Sequence, residues 1–467
     1  MPQAERNRKS PLMRKLLLLN VAALSPSEIT GHTPTLAALA NAGSLSALRA
    51  PFPALTCTSH ATMFTGTLPA EHGIVGNGWY DREHAKVFMW NRSAHHVRGE
   101  TLWDAARARV PQFKAANLFW RFVADSECQL QVTERPVYWS SGRKSFDFFT
   151  QPTDLHARLV QALGKFPFPQ FWGPFAGIAS TEWILLATAQ VMEQDDPDLL
   201  MAYAPYLDYE AQRHGPNSHQ AQDALARMDS ALAVILAKAR SLGRDVALVS
   251  DYGFAQVERP VYINRVLRGS GFMSIEAAAN GDQIAYGVSR AFAVCDNQVA
   301  HVYVANPDDI ESVQTLLRGT PGIADVLDRE AQASHHIDHP RAGELLAVAD
   351  TDAWFAFPYW LDEQRAPDFA DCIAIFDKGG FDPCELLPRP GVFGKPYIAM
   401  RLAQKLARLA VPFDVINPDA TLIRGARNIA NDEANGATLI TSWQRQSASV
   451  AMQDLKQMLL ARMFNDD

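Results

Sequence analysis

Residues 52–80 read FPALTCTSHATMFTGTLPAEHGIVGNGWY, and this stretch is the most informative part of the chain. Pro53 ends the segment before it, Thr56 falls where the next helix should begin, and Gly66 and Pro69 should end that helix. The start of a helix offers free N–H groups and the positive end of the helix dipole to an anion. The stretch therefore predicts an anion site with a hydroxyl group at its edge.

The same stretch carries a motif at fixed spacing. It consists of FP-x-x-T followed by T-G-x-x-P-x-x-H-G-I-V-x-N, with its positions at Phe52, Pro53, Thr56, Thr65, Gly66, Pro69, His72, Gly73, Ile74, Val75 and Asn77. In this motif the chain resembles the type I phosphodiesterase/nucleotide pyrophosphatase family of the alkaline phosphatase superfamily. The resemblance implies that Thr56 is the nucleophile and that Asn77 donates to an oxygen of the transferring phosphoryl group.

The resemblance also implies two metal ions held by three aspartates and three histidines, but most of these positions have changed. Asp208 and Asp251 stand where two of the aspartates belong. The other four positions hold residues that differ from the family pattern, namely Ala22, Gln212, Tyr252 and Gly379. Two of the six side-chain ligands therefore remain.

The remaining donors favour a different cofactor. Thr56, Asp208, Gln212, Asp251 and Tyr252 offer oxygen atoms only, and sites made of oxygen suit magnesium or manganese better than zinc. We therefore expect one hard cation, Mg or Mn, rather than two zinc ions, with no metal at all as the alternative.

Three further residues are candidates for the site. Asn20 either acts as a neutral metal ligand or satisfies backbone groups at the end of a strand. His60, four residues after Thr56, either touches substrate or belongs to packing or the surface. His339 lies in the histidine-rich sequence SHHIDHPRAGEL. This sequence either forms a solvated loop or supplies an extra metal ligand, and His339 is the favoured candidate for that ligand.

The substrate pocket is predicted from the residues around the motif. Cys57, Trp79, Tyr80 and His60 are its candidates. In nucleotide-cleaving relatives an aromatic residue commonly follows the nucleophile and stacks on the base, so Cys57 puts nucleotide specificity in question. Thiol chemistry is disfavoured, because no C-x-P-S-R pattern follows. Aromatic residues are also concentrated at 121–178 and 354–360, where they either line a pocket or cover core.

Composition limits the function classes. The chain has 467 residues, 48% of them hydrophobic and 20% charged, with a net charge of −8, and such a chain can bury a large core. The negative charge argues against a nucleic-acid polymer as partner and leaves a small anionic substrate. Five scattered cysteines predict a cytoplasmic location. The apolar run after the basic N-terminus is interpreted as a first strand rather than a signal, and no membrane span is expected.

Short apolar runs that alternate with helical patterns predict an α/β fold. The resemblance implies an alkaline-phosphatase-like core with a central, mostly parallel sheet flanked by helices, plus a smaller cap insertion. The predicted units are a basic N-terminal tail at 1–11, the core at 12–259 and 369–427, the cap insertion at 260–368, and a C-terminal helical tail at 428–467. The C-terminal tail packs either on the core of its own chain or on a second copy of the chain, and the second alternative implies a homodimer.

Two functions from different classes follow from these residues. One is a hydrolase that cleaves a phosphate diester or similar ester through Thr56 with a reduced or altered metal site. The other is a catalytically impaired relative, a pseudoenzyme, that binds a ligand or serves as a scaffold.

Overall fold

A nine-stranded sheet organises the larger part of the chain. The structure, a computed structural model, describes residues 13–140, 144–391, 394–407, 409, 411–427, 433–445 and 447–466. The predicted basic tail at 1–11 lies outside these residues. Within them the strands are β1 (Leu16–Val21), β2 (Ser44–Arg49), β3 (Gly78–Asp81), β4 (Lys86–Met89), β5 (Ala115–Leu118), β6 (Leu130–Tyr138), β7 (Lys144–Gln151), β8 (Leu199–Ala204), β9 (Asp245–Val249), β10 (Phe254–Gln256), β11 (Arg259–Val261), β12 (Ile275–Ala278), β13 (Gly281–Ile284), β14 (Ala291–Asp296), β15 (Val299–Val304), β16 (Ile323–Leu327), β17 (Leu345–Ala349), β18 (Ala353–Phe355), β19 (Gly425–Arg427), β20 (Ala437–Thr441) and β21 (Ser449–Ala451).

Helices connect and cover these strands. In the described ranges they are α1 (Pro34–Ala42), α2 (Thr56–Thr65), α3 (Pro69–His72), α4 (Leu102–Arg109), α5 (Asp154–Leu163), α6 (Ile178–Gln194), α7 (Tyr206–His214), α8 (His219–Ser241), α9 (Ile263–Gly269), α10 (Ile310–Arg318), α11 (Arg329–Ser334), α12 (Gly394–Leu406) and α13 (Leu455–Phe464). Among the described residues, no helix is long and apolar enough to cross a membrane.

The order of the large sheet is β21-β2-β20-β9-β1-β8-β5-β6-β7. From β9 to β6 the neighbouring strands run parallel, with β1 between β8 and β9. All six residues of β1 are buried, as expected for a strand covered on both faces. The predicted α/β class with a mostly parallel central sheet is confirmed.

A second sheet has the order β14-β15-β17-β16 and is antiparallel throughout. It falls within the predicted cap insertion and has its own apolar cluster, which includes Phe292 and Val302. The last residue of β14, Asp296, accepts a hydrogen bond from Asn77 in the motif segment. The boundaries of the predicted units stay a prediction.

The segment after residue 427 adds strands to the large sheet. β20 lies between β2 and β9, and β21 pairs with β2. The helix α13 follows, and its apolar residues Leu455, Leu459 and Met463 are buried in the main core of the same chain. This part of the chain therefore contributes to the sheet as well as ending in a helix.

Candidate active site

Thr56 is the first residue of α2. The helix begins there because Leu55 is extended. It ends at Thr65, because the next residue, Gly66, has a φ of 73°, the left-handed conformation that glycine adopts easily. The Thr56 side chain is buried, and its Oγ1 donates a hydrogen bond of 3.4 Å to the hydroxyl of Tyr252. The predicted helix start is thus where the structure places it.

Asn77 lies beside the start of α2. Its Oδ1 accepts the N–H of Cys57 at 3.0 Å, and its Nδ2 donates to Asp296 at 3.1 Å. The backbone N–H of Asn77 donates to the other Asp296 oxygen at 3.0 Å. Asp296 therefore fixes the amide of Asn77 next to Thr56, and one Nδ2 hydrogen remains for a ligand.

Asp208 lies on α7, which follows the parallel strand β8. Tyr252 donates to Asp208 Oδ1 at 2.9 Å, and Gln212 Nε2 donates to Asp208 Oδ2. Burial raises the pKa of Asp208, and Arg427 and Tyr252 offset part of that effect. Burial also raises the pKa of Tyr252 well above its usual value. The result is a chain of hydrogen bonds from Thr56 through Tyr252 to Asp208.

Arg427 is a member of this site that the sequence analysis did not identify. It ends β19, which pairs with β10 just after Tyr252, and it is buried. Its Nε and Nη2 each lie 3.4 Å from an oxygen of Asp208. Burial opposes its charge, but Asp208 and its other acidic neighbours outweigh this and raise the pKa of Arg427. No local motif marks Arg427, because its contact with Asp208 spans more than two hundred residues of sequence.

Asp251 follows the adjacent parallel strand β9. Its carbonyl oxygen accepts from Ser59 on α2 at 2.7 Å, whereas neither of its buried carboxylate oxygens has a hydrogen-bond partner among the described residues. The nearest positively chargeable group is Nε2 of His60, at 3.5 Å from Oδ2. Asp251 is therefore a buried carboxylate with unused acceptor capacity.

His60 lies against Asp251, and Asn20 lies against His60. The Nε2 of His60 is 2.7 Å from Asn20, and its Nδ1 accepts the N–H of Arg121 at 3.1 Å. Because Nδ1 is an acceptor, a neutral His60 carries its proton on Nε2, and that N–H can donate to Asn20 when the Asn20 amide turns its otherwise unpartnered Oδ1 toward the ring. Burial lowers the pKa of His60 and favours this neutral form. His60 is thus fully buried next to Asp251 rather than at the surface, and Asn20 contacts it directly.

The aromatic cover of the site comes from residues that the sequence analysis did not name. The guanidinium of Arg427 lies 5.8 Å from the ring of Trp90 and 4.9 Å from that of Phe381. Arg121 lies 5.7 Å from the same Trp90 ring and is paired with Glu134. Aromatic faces stabilise such cations at this range.

Of the other residues predicted for the substrate pocket, Cys57 lies beside Thr56, whereas Trp79 and Tyr80 contact other parts of the chain. Cys57 is buried beside Thr56, and burial raises the pKa of its thiol to about 12. Trp79 lies against Arg341, and Tyr80 contacts Tyr303 in the second sheet. Their part in a substrate pocket stays a prediction.

His339 is likewise not among the groups around Asp208 and Asp251. Its Nδ1 accepts the N–H of Arg341 at 3.1 Å, and its Nε2 is buried without a hydrogen-bond partner. A side chain at Gly73 would approach that Nε2 to 3.1 Å, which places His339 against the motif segment. Its role as an extra ligand stays a prediction.

The donor set does not fit a metal ion at Asp208. Both of its oxygens already accept hydrogen bonds, and a carboxylate offers only about four lone pairs. At Gly379, where the resemblance implies a histidine, an added Cβ would lie 1.8 Å from the hydroxyl of Tyr286. Within the described ranges, no group of three or more His, Cys, Asp or Glu residues could hold a metal ion.

Asp251 fits a cation better. Asp208, Asp251 and Asp296 bring three buried carboxylates together, against the single guanidinium of Arg427. Arg121 adds no net charge because it is paired with Glu134. Asp208 and Asp296 accept hydrogen bonds, whereas both carboxylate oxygens of Asp251 are unpartnered among the described residues, so Asp251 is where a cation would gain a ligand.

Comparisons with known proteins bear on the family. The model of the family described as type I phosphodiesterase/nucleotide pyrophosphatase matches residues 16–371. A Schizosaccharomyces pombe protein named as an uncharacterized pyrophosphatase/phosphodiesterase is 26% identical over 286 residues, 59% of this chain and 51% of that protein. Ectonucleotide pyrophosphatase/phosphodiesterase family member 1 of Mus musculus is 23% identical over 248 residues, 51% of this chain and 23% of that protein. The chain thus spans about half the length of the first relative and about a quarter of the second.

Solved structures bear on the fold. Murine ectonucleotide pyrophosphatase/phosphodiesterase 5 matches with a TM-score of 0.59 and 13% identity over 97% of this chain and 95% of that chain. An inactive variant of the same protein, solved in complex with AMP, also has a TM-score of 0.59, with 12% identity over the same shares of both chains. Phosphonoacetate hydrolase from Sinorhizobium meliloti, in complex with phosphonoacetate, matches with a TM-score of 0.61 and 15% identity over 98% of both chains.

These matches confirm the predicted alkaline-phosphatase-like fold. The match to the family model covers well over half of the chain and includes Thr56, Asn77, Asp208 and Asp251. The chain belongs to the type I phosphodiesterase/nucleotide pyrophosphatase family.

Proposed function

We propose that this protein is a hydrolase that cleaves a phosphate diester or similar ester, with Thr56 as its nucleophile. The observation that carries this proposal is the chain of hydrogen bonds from Thr56 through Tyr252 to Asp208. Each hydroxyl in the chain donates toward the carboxylate, which is the direction in which a nucleophile must lose its proton.

The first step forms a covalent intermediate. Oγ1 of Thr56 bonds to phosphorus and the bond from phosphorus to the leaving oxygen breaks. The proton of Thr56 passes to Tyr252 while the proton of Tyr252 passes to Asp208. The raised pKa of Asp208 suits a group that accepts a proton in this way. Tyr252 serves as a relay rather than as a base, because the burial that raises its pKa makes its free anion inaccessible near neutral pH.

The second step regenerates the threonine. Water attacks phosphorus, the bond to Oγ1 breaks, and Asp208 returns the proton to Thr56 through Tyr252. The second proton of water leaves to solvent and neutralises the departed alkoxide. The remaining Nδ2 hydrogen of Asn77 donates to a phosphoryl oxygen in both steps, held in place by Asp296.

The proposal includes one hard cation, Mg²⁺ or Mn²⁺, at Asp251. Its carboxylate oxygens, which have no hydrogen-bond partner among the described residues, support this position. When bound, such a cation would supply positive charge beside the start of α2. The proposed substrate class is a small anionic ester. Two proteins of similar fold support a small anion at such a site, one solved with AMP, a phosphate ester, and one with phosphonoacetate, a small phosphonate.

A cytoplasmic location and a possible second copy complete the proposal. The five cysteines, Cys57, Cys128, Cys295, Cys372 and Cys384, are all free, which is typical of a reducing compartment. The homodimer stays a prediction, since α13 buries its apolar face on its own chain.

A second function, ligand binding without turnover, is favoured by the burial of the site. Thr56 is only 2% exposed, and its hydrogen bond to Tyr252 is long, at 3.4 Å. In this alternative the pocket binds a phosphate ester and releases it unchanged.

Hydrolysis of bis(4-nitrophenyl) phosphate separates the two functions. The purified protein is assayed with added Mg²⁺, Mn²⁺ or Zn²⁺, next to Thr56→Ala and a control, Thr188→Ala, whose buried hydroxyl bonds to Ile184 within α6. We expect Thr56→Ala to lose at least about 10³-fold in rate, because no nucleophile remains, and the control to keep its rate. Equal rates for the wild type and Thr56→Ala with every metal would refute the hydrolase.

A further inference from the structure

Arg427 is held rigidly by its surroundings. Its backbone N–H donates to Asn297 Oδ1 at 3.2 Å, and β19 pairs with β10 on the other side. Its guanidinium lies 4.7 Å from the ring of Tyr252 and 4.9 Å from that of Phe381. A cation enclosed by aromatic rings and strands in this way is a fixed part of the site.

Two of the three guanidinium nitrogens of Arg427 donate to Asp208. Nε and Nη2 each lie 3.4 Å from a carboxylate oxygen, in the side-by-side arrangement that suits the planar guanidinium. Tyr252 and Gln212 occupy the remaining acceptor positions of Asp208. A divalent cation would have to displace these donors and approach a buried positive charge.

The third guanidinium nitrogen of Arg427 has no acceptor among the described residues. Nη1 of Arg427 is buried and has no hydrogen-bond partner among the described residues. A buried guanidinium N–H without an acceptor is costly, so a native structure normally provides one. Tyr252 joins this guanidinium to Thr56, since its ring lies under Arg427 and its hydroxyl accepts from Thr56.

We infer that Arg427 takes the place of a metal ion at Asp208 and that its Nη1 binds a phosphoryl oxygen of the ligand. The ligand class is an anion with phosphate-type oxygens, either free phosphate or a phosphate ester. This inference goes beyond the proposed hydrolysis, because it concerns ligand binding and holds whether or not Thr56 turns the ligand over.

The first test is the affinity for inorganic phosphate, measured by calorimetry. Arg427→Lys keeps the positive charge but removes the planar guanidinium with its paired N–H donors. We therefore expect the affinity for phosphate to weaken at least about 10-fold. The matched control is Arg244→Lys, because Arg244 is also buried and paired with an aspartate, Asp196. Arg244 precedes β9, whereas Asp251 follows it, so the control lies at the other end of that strand from the site. The control should bind phosphate as the wild type does.

A folded Arg427→Lys protein with wild-type affinity for phosphate would overturn the inference. If Arg427→Lys does not fold, the double variant Asp208→Asn/Arg427→Gln removes both charges and avoids leaving a buried carboxylate unpaired. It should also lose at least about 10-fold in affinity for phosphate. Wild-type affinity in that variant would equally overturn the inference.

The second test counts Mn²⁺ ions by titration and by metal analysis. We expect at most one ion per chain in the wild type, removed by Asp251→Asn, and one further ion in Arg427→Gln, where Asp208 becomes available. Two ions in the wild type, or no gain in a folded Arg427→Gln, would overturn the inference. Phosphate binding that depends on Arg427 in a protein without diesterase activity would refute the proposed hydrolysis and leave the inference standing.

Discussion

Arg427 and Asp208 form a buried, two-point ion pair, with Nε and Nη2 of the arginine each 3.4 Å from a carboxylate oxygen of the aspartate. Arg427 is the last residue of β19, and Asp208 lies in the first turn of α7, which follows strand β8 of the large sheet. The resemblance to the family implies a metal ligand at Asp208. In this structure the guanidinium of Arg427 places a buried positive charge beside that carboxylate.

Tyr252→Phe tests the proton relay. The substitution keeps the ring under Arg427 but removes the hydroxyl between Thr56 and Asp208. We expect the diesterase rate to fall by about 10²–10⁴-fold, the usual range for the loss of general acid–base assistance. The control is Tyr303→Phe, on β15 of the second sheet, whose buried hydroxyl donates to the backbone carbonyl of Arg341. A Tyr252→Phe protein as active as this control would show that the relay does not operate.

Alkylation of Cys57 tests the chemistry of the residue next to the nucleophile. Burial raises the pKa of Cys57 to about 12, so near pH 8 only about one thiol in 10⁴ is ionised. We expect iodoacetamide to leave Cys57 unmodified in the native protein, as peptide mass spectrometry can show. All five cysteines should react in denaturant. Rapid modification of Cys57 in the folded protein would contradict its packed position.

The stability of the fold should fall in acid partly through His72. Its Nδ1 accepts the N–H of Ile74, and burial lowers its pKa to about 3. Below about pH 6.5 the unfolded chain binds a proton that the folded protein does not, so stability is complete above that pH and falls toward pH 3, by up to about 1.4 kcal/mol per pH unit.

Denaturant unfolding between about pH 7 and pH 4 measures this effect. His72→Gln should be less stable than the wild type at pH 7, because Gln replaces a well-packed ring, yet should lose less stability on acidification. The exposed His219→Gln serves as the control. An unchanged pH dependence in His72→Gln would assign the acid sensitivity to other groups, such as His301, whose pKa burial lowers to about 4.

Lys378→Met tests a buried ion cluster close in sequence to Phe381, one of the aromatic residues that cover the site. Lys378 Nζ lies 2.7 Å from Asp382 and 3.0 Å from Glu385, and Trp172 donates to the same Glu385. Removal of the lysine leaves two buried carboxylates together, so we expect a loss of about 3–5 kcal/mol in the free energy of unfolding.

An exposed pair provides the comparison for Lys378→Met. Lys238 lies 3.0 Å from Glu193, and both side chains are substantially exposed. Lys238→Met should therefore cost only about 0–1 kcal/mol in the free energy of unfolding. Equal losses in the two variants would mean that the Lys378 cluster is not as tightly buried as the structure shows.

Local signals in the sequence predict much of the fold. Pro34 at the first turn and Gly43 after the last give α1 its bounds, and Thr56 and Gly66 do the same for α2. The apolar run at Leu345–Ala349 is β17. In each case the determinants lie within a few residues of the element, so sequence pattern alone contains them.

Long-range contacts explain what the sequence did not predict. Arg427 reaches Asp208 only because β19 pairs with β10, and β20 enters the large sheet between β2 and β9 from the far end of the chain. Trp90, rather than Trp79, lies over the guanidinium groups of Arg427 and Arg121, because β3 and β4 form a hairpin that returns the chain to Asn77. Its backbone N–H donates to the carbonyl of Asn77 at 2.7 Å.

The central claim is that Thr56 becomes covalently bound to the phosphoryl group. The most direct measurement is peptide mass spectrometry after the protein is mixed with bis(4-nitrophenyl) phosphate and Mn²⁺ and quenched in acid. The wild type should carry a 4-nitrophenyl phosphoryl group on Thr56, and Thr56→Ala should carry none. Turnover without an adduct in the wild type, or an equal adduct on another residue in Thr56→Ala, would contradict the claim.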